Sequence, residues 1–290
     1  MSAILSKTGA FLQAAVVAAA ILACGQTLWG VLAAADLRLT PAIPWAPPLM
    51  AAILATLILY LGGAWGWPRR TAPLRRRLLR WNPVPWPVFG WAVLAGALGM
   101  AALGGLWITT SDLVRVPPGL TPSVAGAPIW TALSIFLVAI AAAPLSEEAA
   151  FRGYAQGLLE RSWKSGWAAV VGASVLFAAA HVVQGLDLTK LGLYFTAGLV
   201  FGATAQLTNS LYPAMVVHSL GDILGFLLLW PHDRPHRLVT EGGADPLFWP
   251  AVATLAVFAP LAIAAFARLA RLADRNGLAT AAPATSAELA

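Results

Sequence analysis

Three groups of polar residues interrupt otherwise apolar sequence between positions 144 and 222. They are Ser146, Glu147, Glu148 and Arg152; Phe177 with His181; and His218 with Asp222. An ionisable side chain at membrane depth costs roughly 2.5–3.5 kcal/mol on insertion scales, so acids and imidazoles in such surroundings point to function. Together these residue types suit one hydrolytic site inside a membrane domain.

Spacing sorts these residues further. Glu148 and Arg152 stand at i, i+4 and can pair on one helix face, whereas Glu147 points about 100° away and is free to face another helix. His218 and Asp222 are also i, i+4, so one face presents an imidazole and a carboxylate together. Taken singly, Glu148 with Arg152 reads as a helix-stabilising pair, Phe177 as packing, and His181 as a core imidazole. The functional reading rests on the set.

The elements that must position this set are membrane helices. The chain has 290 residues, of which 59% are hydrophobic and 10% charged, against about 25% charged in a soluble domain. Mean hydropathy is +0.76. The expected fold is an all-α polytopic membrane bundle of about eight transmembrane helices. A single transmembrane domain is expected over residues 1–273, with a core that carries the polar set at about 129–230 and a disordered tail at 274–290. Lone Cys24 excludes an intramolecular disulfide.

Apolar runs place the spans at about Gly9–Ala35, Leu49–Trp65, Val88–Ile108, Ile129–Arg161, Gly166–Val183, Leu191–Leu207, Leu211–Trp230 and Pro246–Phe266. The first is too long for the apolar region of a signal peptide and reads as an uncleaved helix. The fourth passes through Pro144, where a kink is expected. Helices four and five form a hairpin turning near Ser162 to Ser165. Glu147 and His181 each rise roughly 22–24 Å from that turn at ~1.5 Å per residue, so they reach one level. His218 lies only about 10 Å into its span. Either the Asn209-Ser210 turn is recessed, as irregular backbone at depth must be when it lines a cavity, or helix seven starts elsewhere.

The net charge of +6 comes from cations in loops beside apolar runs, which indicates topology rather than nucleic acid. If the loop with Arg69, Arg70, Arg75, Arg76, Arg77 and Arg80 is cytoplasmic, Lys7, Arg152, Arg161, Lys164, Arg268, Arg271 and Arg275 join it. Arg38, Arg115, Lys190, Arg234 and Arg237 fall outside, which satisfies the positive-inside rule with both termini cytoplasmic. Tryptophans near proposed span ends, such as Trp45, Trp65, Trp67, Trp86, Trp107, Trp167 and Trp249, fit an interfacial belt. His232 and His236 fall in a polar loop and are not expected to be catalytic.

Glu147-Glu148-x-x-x-Arg152-Gly153, Phe177-x-x-x-His181 and His218-x-x-x-Asp222 resemble the three motifs of the CPBP family of intramembrane proteases, which includes CAAX prenyl endopeptidases and bacterial Abi proteins. Asn209-Ser210-Leu211-Tyr212-Pro213-Ala214-Met215 before His218 is also similar to the family. The CAAX-processing branch has Asn where this chain has Asp222, while the bacterial branch accepts either. The resemblance implies an endopeptidase acting on a membrane-associated peptide, prenylated CAAX-like or bacteriocin-type, with Glu147 as general base and His181 assisting on the same water. His218 would stabilise the oxyanion and Asp222 would orient it or contact substrate, with Glu148 and Arg152 a structural pair.

A metal-dependent version uses Glu147, His181 and His218, one oxygen and two nitrogens compatible with catalytic zinc. Both versions stay open at this point. The expected partners are a peptide or lipidated-peptide substrate and the bilayer, in a bacterial cytoplasmic membrane. Two other classes use the same residues. A proton-coupled transporter would favour an inverted repeat, which the sequence lacks, and a non-catalytic scaffold has no need of the complete polar set.

Overall fold

The computed structural model describes residues 2–117, 127–229 and 238–278. His232 and His236, Arg234 and Arg237, and the tail from residue 279 lie outside these. Eleven α-helices occur among the described residues, and no strand does. Six helical stretches are long and apolar enough to cross a membrane: Ser6–Leu39, Trp86–Leu113, Ile129–Trp163, Gly166–Val183, Leu188–Thr208 and Phe248–Arg275. Shorter apolar helices at Ala46–Leu61 and Leu211–Leu227 complete the eight expected elements. The protein is a multi-pass integral membrane helix bundle.

Local chemistry sets most boundaries. The first span is α1 (Ser2–Leu22) and α2 (Leu28–Leu39), joined by a π-helical turn at Ala23–Thr27. Proline in the first turn opens α3 (Ala46–Leu61), α4 (Ala72–Leu79) and α5 (Trp86–Leu113), where its missing N–H is no loss. Ser165 caps α8 (Gly166–Ala180), Asp187 caps α9 (Leu188–Thr208) and Ser210 caps α10 (Leu211–Leu224), each accepting a first-turn N–H. Asn209, at φ 47°, closes α9 in the left-handed conformation that Asn tolerates. The last helix, α11 (Phe248–Arg275), packs along α5.

The fourth span is the hub. It comprises α6 (Ile129–Glu147), a π-helical segment Glu148–Ala155, and α7 (Gln156–Trp163). The helix runs on through Pro144, and the break from α-helical hydrogen bonding comes four residues later, at Glu148. Pro144 has no N–H for the Ile140 carbonyl, and Ser219 of α10 donates its hydroxyl there at 3.2 Å. A neighbouring helix thus satisfies the freed backbone group, as membrane burial requires. All eight residues of the π segment are buried.

Leu211 opens α10, as the sequence boundary has it, and the turn before it is buried. Ser210 and Leu211 are fully buried. The turn is covered by the stretch after α4: Leu211 N–H donates to Arg80 O at 3.1 Å, the Ser210 hydroxyl to Asn82 O at 2.7 Å, and the Asn82 amide to Asn209 O at 2.7 Å. Arg80 itself is buried and pairs with Glu160 of α7.

Several cations depart from the topological reading. Arg152 is only 1% exposed and belongs to the interior, not to a surface count, and Arg75 and Lys190 are also buried. Trp107 is buried against Ile108 and Ala251 rather than interfacial, whereas Trp65, Trp67, Trp86, Trp167 and Trp249 are exposed.

Candidate active site

The hub helix, α8, α9 and α10 bring the three polar groups together in the bundle core. His218 is the junction. Its Nδ1 lies 2.8 Å from Glu148 Oε1, and its Nε2 lies 3.8 Å from Glu147 Oε2 and 3.7 Å from Asp222 Oδ1. Glu147, Glu148 and His218 are all buried, and Asp222 is half-buried. Adjacent glutamates on the hub helix therefore address opposite nitrogens of one imidazole.

Glu148 is fixed from its other side. Arg152 Nη1 donates to the same Oε1 at 3.0 Å, and Nη2 donates to Gly198 O of α9 at 3.3 Å. The guanidinium lies 4.3 Å from the Phe177 ring centroid and 5.0 Å from that of Phe201, so its faces are covered by aromatic π-density. Paired with Arg152, the Glu148 carboxylate is an acceptor, which makes His218 Nδ1 the donor. Phe201 stacks on the His218 ring at 4.5 Å with 11° between planes. Ring, tautomer and tilt of His218 are thus all held.

His181 stands at the end of α8, half-buried. Its Nδ1 donates to Phe177 O at 2.8 Å, which leaves the Nε2 lone pair outward. Tyr194 stacks on it at 3.8 Å, and Phe177 contacts it at 4.6 Å and lies 6.1 Å from the His218 ring. Phe177 therefore bridges the two imidazoles and carries the Arg152 cation as well, more than the packing role its spacing suggested. Among the described residues no hydrogen bond or ion pair joins His181 directly to Glu147.

Sequence reading missed Tyr194, Gly198 and Phe201. Their signal is a spacing of i, i+4 and i+7 on α9, one helical face. Gly198 serves close packing, because a Cβ there would come within 2.9 Å of Ser174 Cβ. Its carbonyl adds the contact with Arg152.

The fit to zinc can be tested on the donors. Zinc takes its ligands at about 2.0–2.2 Å from one shared point. Among the described residues no group of three or more His, Cys, Asp and Glu is arranged to hold a metal ion. Glu147, His181 and His218 do not form such a set in this arrangement.

The site thus consists of a carboxylate–imidazole pair held by an arginine, with two further carboxylates near the other ring nitrogen. Compared with protein-family models, residues 128–224 match the description Type II CAAX prenyl endopeptidase Rce1-like. That stretch is similar to the Rce1-like family. The matched segment holds the motif residues Glu147, Glu148, Arg152, Phe177, His181, His218 and Asp222. Comparison with curated proteins and with solved structures gave no match.

Proposed function

We propose that this protein is a glutamate-dependent intramembrane endopeptidase that cleaves a membrane-associated, CAAX-like peptide, with both termini cytoplasmic. One observation carries the reading: Glu147 and Asp222 flank His218 Nε2, while Glu148, anchored by Arg152, takes His218 Nδ1. That arrangement offers a base beside a directed donor in a site walled by Phe177 and Phe201.

In this mechanism Glu147 takes a proton from water as the water oxygen bonds to the scissile carbonyl carbon. His181 offers its Nε2 lone pair to the same water. The carbonyl π-pair moves onto oxygen, and His218, protonated on both nitrogens, donates Nε2–H to it. Glu148 keeps the imidazole aimed, as a carboxylate does for a catalytic histidine. On collapse the C–N bond breaks and Glu147 returns its proton to the leaving amine. Asp222, with Oδ2 buried and unpartnered among the described residues, orients the imidazole or receives a substrate N–H.

The gathering of the cations supports this orientation. Trp163 Nε1 donates to Lys7 O, Arg80 pairs with Glu160, and Arg268 lies over Trp91, so the N-terminus, the arginine loop and the end of α11 share one end of the bundle. Cleavage of a prenylated CAAX-like peptide by the reconstituted protein tests the function. Glu147→Ala and His181→Ala should each abolish product while the protein still inserts and unfolds at an unchanged temperature; cleavage retained by either removes that residue from the mechanism.

A further inference from the structure

The loop between α3 and α5 carries six arginines, five of which fall into two sets. Arg75 and Arg80 turn inward. Arg75 ties the loop together by donating to Tyr60 O at 2.9 Å and Pro68 O at 3.1 Å and to the Thr71 hydroxyl, with its guanidinium over the Tyr60 ring. Arg80 pairs with Glu160 of the hub span. Arg69, Arg70 and Arg76 face outward and are exposed, alongside Trp65 at 60% and Trp67 at 84% exposure. Loop closure thus uses two cations, and the others need a different explanation.

The inner face of the same segment touches both halves of the active site. Leu78 and Leu79 lie so close to the hub span that a Cβ at Gly153, the residue after Arg152, would come within 3.1 Å of the Leu78 carbonyl. Two residues later, Arg80 O and Asn82 hold the turn that starts α10, the helix of His218. One short stretch, Leu78–Asn82, therefore braces the Glu148 helix against the His218 helix.

From these two faces we infer that the arginine loop is a binding surface for anionic phospholipid headgroups, and that its occupancy tightens the brace behind the active site. Clustered cations beside a membrane helix attract anionic lipid, and exposed tryptophans place this loop at headgroup level. Repulsion among Arg69, Arg70 and Arg76 is relieved when phosphodiesters lie between them, so the loop is held against α7 and α10 most firmly in an anionic bilayer.

The test is made on the full chain in nanodiscs of phosphatidylcholine alone or with one-third phosphatidylglycerol. The anionic lipid should raise the unfolding temperature by about 5 °C and slow hydrogen exchange at Leu211, whose N–H bonds to Arg80 O. Arg69→Gln/Arg70→Gln/Arg76→Gln should lose both responses, the corresponding triple Lys variant should keep them, and Arg38→Gln, exposed in the last turn of α2, should keep them too. Equal responses in wild type and the triple Gln variant would overturn the inference. So would a response reproduced in phosphatidylcholine by inorganic phosphate at matched ionic strength, which would make this a soluble-anion site. None of these readouts requires peptide cleavage, so failure here is distinct from failure of the enzymatic reading.

Discussion

His218 Nδ1 and Glu148 Oε1 lie 2.8 Å apart, joining the fourth and seventh spans through the oxygen that also receives Arg152. Glu148 is therefore both half of a buried ion pair and the orienting partner of the central imidazole. The two roles separate by substitution. Glu148→Ala leaves Arg152 buried and uncompensated and should cost about 3–5 kcal/mol of stability. Glu148→Gln keeps an acceptor for both partners and should fold, yet lose about 10²-fold or more in kcat with KM nearly unchanged, because a neutral amide stabilises a protonated imidazole poorly. Thermal unfolding in detergent with steady-state kinetics reads both. Equal kinetics for wild type and Glu148→Gln would confine Glu148 to structure.

Asp222 approaches His218 Nε2 at 3.7 Å and is half-buried, with Oδ2 unpartnered among the described residues. The contact is too long for a strong hydrogen bond, so the charge of Asp222 matters less than its polar reach. Asp222→Asn, which supplies the amide typical of the CAAX-processing branch, should retain cleavage within about tenfold. Asp222→Ala should lose about 10²-fold or more. Loss of cleavage to the same extent in both variants would show that a negative charge at this position is indispensable.

The spans are legible in sequence because an apolar run of about 20 residues has one economical backbone solution in lipid, the helix. So are the pairs Glu148–Arg152 and His218–Asp222, whose i, i+4 spacing is itself a statement of proximity. What joins Glu148 to His218 is not legible, since the contact crosses 70 residues and depends on two helices meeting at a particular rotation. The level of His218 is hidden for a related reason. Its turn is buried because Arg80 and Asn82 cover it, and no local pattern near residue 210 announces a partner more than a hundred positions earlier. Around Pro144, Ser219 donates to the carbonyl that the proline leaves without its helical partner, and the π-helical segment begins four residues on, at Glu148.

That repair is testable. Removing the Ser219 hydroxyl strands the Ile140 carbonyl at the point where α6 meets α10, next in sequence to His218. Hydrogen bonds between membrane helices average about 0.6 kcal/mol and reach about 1.7 kcal/mol, so Ser219→Ala should lower the unfolding temperature by about 2–4 °C. Ser219→Thr keeps the donor and should restore most of the loss. A Thr variant no better than Ala would mean that volume, not the hydroxyl, governs this contact.

Metal dependence follows from which nitrogens are committed. His218 Nδ1 is bound to Glu148 and His181 Nδ1 to the Phe177 carbonyl, so a metal would have to be met by the two Nε2 atoms. His218 Nε2 already lies between Glu147 and Asp222, whereas His181 is connected to His218 through the Phe177 ring rather than across a shared ligand point. Chelation with a strong zinc chelator, followed by its removal, should therefore leave cleavage within about twofold of the untreated rate, since a general base needs no exchangeable ion. Elemental analysis of the active preparation should find zinc well below one equivalent. A rate lost on chelation and restored by zinc at one equivalent would require His181 to swing past Phe177 toward Glu147, and would replace the glutamate-dependent mechanism with a metal-dependent one on the same residues.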